Sequence, residues 1–267
     1  MIQVRLFGGV SVTSGERWLP LDLGPQGRQL LGYLFQFPNT PHRRDMLVDR
    51  IWWDVEPDRA RRAFNTVLWR LRKLLKTGDP GNAETRIQGN KLEVFLDLTP
   101  STWVDTVEFK KSLNGLDLCQ ASAQNSDHMI SRLFDAFDTY RGPFMDGEDA
   151  EWIIEERERL HSQYVRTGTR LARLLGTEGR YAEGADIAKQ ILQVDPYREG
   201  LHGDLLLLLT ANGQRAEAIQ AQDIMARRLR SELGIAPMPE TLALAEMIKT
   251  SAVFEKLDQL KTSRWLV

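Results

Sequence analysis

The tightest constraint on the fold is a short pattern that recurs 34 residues apart: Gly179-Arg180-Tyr181-Ala182-Glu183 and Gly213-Gln214-Arg215-Ala216-Glu217. A repeat of that period is the signature of stacked two-helix units, each burying its apolar face only against its neighbours. From His128 onward the chain shows helical periodicity alone. Gly179 and Gly213, at the turns, are expected to let antiparallel helices approach, with Ala182 and Ala216 where a larger side chain would separate them. Pro196, after Asp195, is expected at a helix start. The C-terminal half therefore predicts an all-helical domain.

The N-terminal half has another rhythm. Ile2, Val4 and Leu6 alternate with Gln3 and Arg5, and Val10 and Val12 continue after Gly8-Gly9. Trp18 to Leu23 reads as a further extended segment, completing a small sheet. Three helices follow: Gln26 to Phe37, stopped by Pro38; Arg43 to Trp53; and one opened by Glu56-Pro57-Asp58, where proline and acids suit a first turn. Trp52 and Trp53 read as packing that anchors the turn between the second and third helices. Beyond a Gly/Asp/Pro/Asn loop at Thr77 to Glu84, Arg86 to Gln88 and Lys91 to Phe95 predict a hairpin turning through Gly89-Asn90. Trp103-Val104-Asp105 opens a short helix running through Leu113.

That order predicts an α+β winged helix-turn-helix (sheet, three helices, wing hairpin) followed by an all-α tetratricopeptide-like domain. The expected boundaries are 1–112 for the first domain, 113–127 for a linker or loose loop, 128–250 for the helical domain and 251–267 for a helical tail.

Composition narrows the function classes. Apolar residues make up 42% and charged residues 27% of the chain, the balance of a soluble globular protein. The longest dense apolar run, Leu205 to Leu209, is far too short to cross a bilayer, and the first residues lack the pattern of a signal peptide. Cys119 is the only cysteine, so an internal disulfide or a cysteine-built metal cage is excluded. These features point to the cytoplasm, with no membrane partner. His42, His128, His161 and His202 are scattered without metal-ligand spacing, and there is no nucleophile elbow, dinucleotide fingerprint or P-loop. No catalytic site, cofactor or metal is expected. The run Glu155-Glu156-Arg157-Glu158-Arg159 reads as a solvated helix face with local ion pairs.

Charge is informative through its distribution. The net charge is −2, yet Glu56 to Lys76 carries seven basic and two acidic residues. A basic helix in a weakly acidic chain suggests a localised polyanion contact. On a helical wheel Ala60, Phe64, Val67, Leu68, Leu71 and Leu75 cluster on one face. Arg62, Thr66, Trp69 and Lys73 form a stripe on the other, flanked by Arg61, Asn65, Arg70 and Lys76. Such a helix fits the major groove of double-stranded DNA: Arg and Lys reach base edges or phosphates, Asn65 can pair with adenine, and Thr66 can meet a thymine methyl. Trp69 offers a flat face to sugar or methyl groups. Arg86, Gln88, Asn90 and Lys91 on the hairpin are expected at phosphates or the adjacent minor groove.

Specific strings carry a family resemblance. They are Val4-Arg5-Leu6-Phe7-Gly8, Arg28-Gln29-Leu30-Leu31, Arg44-Asp45-Met46-Leu47, Asp49-Arg50-Ile51-Trp52, Leu68 to Leu75, and Asp105 with Phe109. Further along come Tyr140-Arg141-Gly142-Pro143-Phe144, Trp152, Glu155 to Leu160, Tyr164, Asp195 to Glu199, and Leu229 to Pro237. Together they resemble the Streptomyces antibiotic regulatory protein family, which joins an OmpR-like winged helix to a bacterial transcriptional activation domain. The resemblance covers about residues 1 to 250. It implies a short, stand-alone transcriptional activator that binds repeated promoter sites as a homodimer or oligomer and contacts RNA polymerase. The hairpin departs from the family pattern, with Gly89-Asn90-Lys91 where members often carry Gly-Tyr. That departure motivates an alternative, a tetratricopeptide-like interaction scaffold with a degenerate winged helix. A third reading places a small ligand in the groove of the helical domain.

Overall fold

The computed structural model describes residues 1–78, 86–116 and 126–265. The fold is mixed α+β and mostly helical. Its contacts define two compact units: residues 1–112 with 138–162, and residues 113–137 with 163–267. Cys119, most of the Thr77–Glu84 loop and most of the 113–127 segment lie outside the described residues.

In the first unit, β1 (Ile2–Arg5), β2 (Ser11–Ser14) and β3 (Arg17–Trp18) form an antiparallel meander. Ile2, Val4 and Val12 are buried as the alternation requires. The segment from Leu19 to Leu23 does not continue as a strand. Pro20 has no N–H to donate to a ladder, and Leu23 N–H closes a local turn onto Leu21 C=O at 2.8 Å. Helix α1 (Gly24–Gln36) follows at once. A two-residue strand, β4 (His42–Arg43), precedes α2 (Arg44–Ile51), and α3 runs Pro57–Gly78. Strands β5 (Ile87–Gly89) and β6 (Glu93–Leu96) form the hairpin and pair with β4 in the order β4-β6-β5.

The hairpin does not turn through Gly89-Asn90. Gly89 is still in register, opposite Val94, and the turn spans Asn90 to Leu92. Asn90 Oδ1 holds it by accepting the backbone N–H groups of Leu92 (2.7 Å) and Glu93 (3.0 Å), an Asx-type turn. Gly89 has φ 151°, and a Cβ there would collide with the Glu93 carbonyl, so glycine is required by the close strand approach.

Trp103 and Val104 are not helical either. They belong to β7 (Thr102–Val104), which pairs parallel to β1 and makes the sheet order β3-β2-β1-β7. Only then does α4 (Asp105–Leu113) begin. Its first residue is the clamp of the unit. The Asp105 carboxylate accepts the N–H groups of Leu6 and Phe7 at 2.9 Å and of its own neighbour Thr106 at 2.7 Å. Phe109, one turn on, is fully buried with its ring edge-on to Phe7.

Residues 138–162 extend this unit. Phe7 forms an antiparallel bridge with Phe144, and Met145 N–H donates to Leu6 C=O at 2.7 Å. Arg157 gathers the carbonyls of Phe144, Met145 and Glu148 at 2.7–3.0 Å. Glu156 is buried and takes Arg159 (2.6 Å), Lys110 (3.6 Å) and the Gln36 amide. Burial pushes its pKa up, but Arg159, Gln36 and Lys110 outweigh that and hold it below the ordinary value. The Glu155–Arg159 run is therefore a solvated face only in part, because Glu156 and Arg157 face inward.

The second unit is helical. After α5 (Ser126–Thr139) and α6 (Glu151–Thr177), each of which lends residues to both units, come α7 (Tyr181–Val194), α8 (Glu199–Ala211) and α9 (Arg215–Arg228). A π-helical turn, Leu229–Leu233, ends at Gly234, and α10 (Pro239–Lys249) and α11 (Val253–Trp265) complete it. Leu205 to Leu209 lie in α8, which is buried all round and packs against α7, α9, α10 and α11. The repeat works differently from expectation. Gly179 and Gly213 have φ of 76° and 80° with open space around them, so they serve the left-handed turn and not helix approach. Ala182 and Ala216 are not buried; close packing falls to Gly184, where a Cβ would sit 2.9 Å from the Ala172 carbonyl. Pro196 lies in the turn ahead of α8, not in its first residues. Asp204, with no exposed surface, is neutralised by Arg173 (2.8 Å) and Arg264 (3.1 Å).

Burial, opposed by the Phe7, Leu6 and Thr106 amides, pushes the Asp105 pKa up from 3.8 to about 6. Its folded value exceeds its unfolded one, so its contribution is fully present below about pH 3.8 and is lost as pH rises through about 6. Asp105→Asn is expected to lack that titration, so the wild-type unfolding free energy minus that of the variant, measured by urea titration, falls as pH rises between those values. Asp105→Ala strands buried N–H donors and is expected to cost about 3 kcal/mol at pH 7.

Candidate nucleic-acid interface

Helix α3 carries the site. Glu56 caps its start by accepting Arg59 N–H at 3.0 Å, and Pro57 supplies the first turn. Ala60, Phe64, Val67, Leu68, Leu71 and Leu75 are all buried, as the wheel requires. Trp52 closes the inner side, edge-on to Phe64 with ring centroids 5.9 Å apart. Trp53 does not share that role: it is 80% exposed, because α2 ends at Ile51 and the chain turns the next indole outward.

The opposite face presents Arg61, Arg62, Asn65, Thr66, Trp69, Arg70 and Lys73 to solvent. Trp69 is 61% exposed, with the Lys73 ammonium 5.4 Å from its ring centroid. Among the described residues Arg61 makes a single ion pair, on the surface with Asp58 at 3.3 Å, which leaves it available to a competing anion. The Thr66 hydroxyl donates to Arg62 C=O at 3.0 Å, so its methyl is the group left for contact.

Arg44, at the start of α2, is a member that sequence reasoning did not place. Its guanidinium donates to Asn90 C=O (2.9 Å) and to Asn65 Oδ1, and lies 5.0 Å over the Phe64 ring. It thereby joins α2, α3 and the hairpin around a cleft of about 300 Å³ that Arg61 and Lys91 also line. Burial, and then the like charge of Arg72, push the Arg44 pKa below its ordinary value, so this is a crowded cation that an anion would relieve. The Arg43-Arg44 pair was the available signal, but nothing in the sequence tied it to α3. Arg17, from β3, likewise joins Trp69, Arg70 and Lys73 around a second cleft of about 510 Å³.

The hairpin divides. Gln88, Asn90 and Lys91 are exposed. Gln88 reaches Asp97 at 3.3 Å, and the Asn90 oxygen is engaged in its own turn, which leaves its NH₂ as the group to offer outward. Arg86 is withdrawn: it is 5% exposed, with its guanidinium on the hydroxyls of Ser101 (2.8 Å) and Thr102. It packs between the hairpin strand and β7 and is not presented to solvent with Gln88, Asn90 and Lys91. Among the described residues no cluster of three or more His, Cys, Asp or Glu is arranged to hold a metal, and no helix is long and apolar enough to cross a membrane. His42 and His202 point ring nitrogens at the Phe37 and Pro196 carbonyls, both at 3.1 Å.

A family model described as "Bacterial transcriptional activator domain" matches residues 104–249. Regulatory protein AfsR of Streptomyces coelicolor is 29% identical over 229 residues, 84% of this chain but 22% of that protein. The AfsR of Streptomyces griseus is 28% identical over 254 residues, 24% of its length, so the chain spans about a quarter of these relatives. Transcriptional regulatory protein MoaR1 of Mycobacterium bovis is 26% identical over 258 residues, 92% of this chain and 79% of that protein. In fold, the chain is similar to EmbR of Mycobacterium tuberculosis, solved in complex with a low-affinity phosphopeptide. The TM-score is 0.76 over 98% of this chain and 69% of that one, at 23% identity. The protein belongs to the bacterial transcriptional activator domain family, and within it to the Streptomyces antibiotic regulatory protein type that its sequence motifs resemble.

Proposed function

We propose that this chain is a sequence-specific transcriptional activator that binds double-stranded promoter DNA through its first unit, an OmpR-like winged helix-turn-helix. The observation that carries the reading is α3, whose outer face is exposed, basic and aromatic while its inner face is fully buried. A helix of about 10–12 Å diameter fits the major groove. Arg61, Arg62, Arg70 and Lys73 then meet phosphates or base edges, Thr66 offers its methyl to thymine, and Trp69 lies against sugar or methyl groups. Asn65 reads adenine once Arg44 releases its amide oxygen, and Arg44 turns to a phosphate. Gln88, Asn90 and Lys91 act from the β5–β6 hairpin as the wing. The second unit is read as a tetratricopeptide-like activation domain that contacts RNA polymerase or a further copy of the chain on repeated sites; family membership supports this part.

Arg62→Ala combined with Lys73→Ala is expected to weaken promoter retardation by the full chain while leaving thermal stability unchanged. If both side chains neutralise phosphates, the slope of log K against log salt flattens by roughly 0.9 for each one removed. Undiminished binding by the folded double variant removes the stripe from the interface. Arg86→Met is expected to behave in the opposite way. It lowers stability by about 1–3 kcal/mol, because buried hydrogen bonds disappear, and leaves the salt slope untouched. A flattened slope for Arg86→Met returns that residue to the DNA-facing group.

A further inference from the structure

The first unit has a second charged surface of opposite sign. Between the end of α2 and the start of α6 lies an open groove of about 960 Å³. Trp53, 80% exposed, and Ile154, 45% exposed, supply its apolar surface. Asp49, Asp149, Glu151 and Glu155 also line it; all four are exposed, and none forms an ion pair among the described residues. Elsewhere in the same unit carboxylates do find cations, as Glu148 does with Arg28 at 2.5 Å and Glu156 with Arg159 at 2.6 Å. Arg50, the cation among the lining residues, lies 6.0 Å from the Tyr33 ring centroid. Trp152 walls the groove from inside; it is 4% exposed, and its indole N–H has no hydrogen-bond partner among the described residues.

Four unneutralised carboxylates around a solvent-facing indole repel one another and expose apolar area, a combination that association with a cationic partner relieves. Phosphate is excluded as the occupant by the same charges. The openness of the rim and its polarity also differ from the enclosed, mostly apolar pockets that hold small molecules. An arginine is the side chain that satisfies both halves, stacking on Trp53 while its fork meets a carboxylate. We infer that this groove, formed by Asp49, Trp53, Asp149, Glu151, Ile154 and Glu155, is a docking site for a basic amphipathic helix of a protein partner. Trp53 takes an apolar or arginine anchor, and the carboxylate rim selects positive charge. The site shares no residue with the α3 stripe, so it stands or falls independently of the DNA-binding reading.

The test uses the full chain and a labelled helical peptide of about 15 residues with arginines on one face around a central leucine, followed by fluorescence anisotropy. Saturable binding is expected, weakening with salt. It is expected to fall about tenfold in Trp53→Ala and again in the pair Asp149→Asn and Glu155→Gln. The same charge change on α10, Glu240→Gln with Glu246→Gln, is expected to leave it unchanged, as is promoter retardation by Trp53→Ala. Trp53 is exposed, so its removal leaves thermal stability intact. Equal binding by the groove variants, an equal drop in the α10 pair, or equal binding of a peptide with glutamates in place of the arginines overturns the inference. So does wild-type self-association that Trp53→Ala abolishes, which would give the groove to a second copy.

Discussion

The first unit depends on one carboxylate. Asp105 stands where β7 becomes α4 and accepts the backbone N–H groups of Leu6 and Phe7, the residues that leave β1. Those amides lie beyond the β1–β2 and β1–β7 ladders, and without an acceptor they would be buried and unpaired. The clamp also fixes the direction of α4, so that Phe109 meets Phe7 edge-on. Once Leu6 to Gly8 are held, they offer the remaining carbonyls and amides to residues 143–146, and Arg157 ties that segment to the start of α6. Burying a charged group at such a junction is costly in itself, and the amides it satisfies offset part of that cost.

This scaffold separates charge. On α3 the buried face orients the helix, leaving Arg62, Thr66, Trp69 and Lys73 no alternative but solvent. At the end of α2 and the start of α6, Asp49, Asp149, Glu151 and Glu155 gather with Trp53 around one groove. A chain of net charge −2 thus carries a basic face and an acidic face within one compact unit, a distinction the net value hides. Arg44 shows how closely the basic side is knit. It bonds to α3 through Asn65 and to the hairpin through Asn90, so the two proposed reading elements share one crowded cation. Any anion that relieves Arg44 acts on both at once.

Much of the α3 site is legible because helical periodicity depends only on spacing. The burial of Ala60, Phe64 and Leu71 and the exposure of Arg62 and Trp69 follow from a 3.6-residue period. Arg86 departs from expectation because spacing says nothing of distant partners. Alternation places it at the base of the hairpin, but whether a long cationic side chain points to water depends on what stands opposite, here the hydroxyls of Ser101 and Thr102. Asn90 does lie in a turn, yet its side chain shifts that turn past Gly89 by capping two amides itself. Trp53 reads as packing beside Trp52 only while α2 is assumed to continue; the end of the helix sends adjacent indoles in opposite directions.

The sequence alone determined the first two strands, the three helices and hairpin that follow, the inner and outer faces of α3, the helical second half with its glycine turns at 179 and 213, and the family resemblance. These rest on local propensity, periodicity and short motifs, which need no knowledge of distant partners. Tertiary structure decided what depends on pairing across the chain. Trp103 and Val104 became a strand because β1 was beside them, and residues 138–162 joined the first unit because Phe7 met Phe144. Asp105, in sequence only part of a family motif, became the acceptor for two amides about a hundred positions earlier.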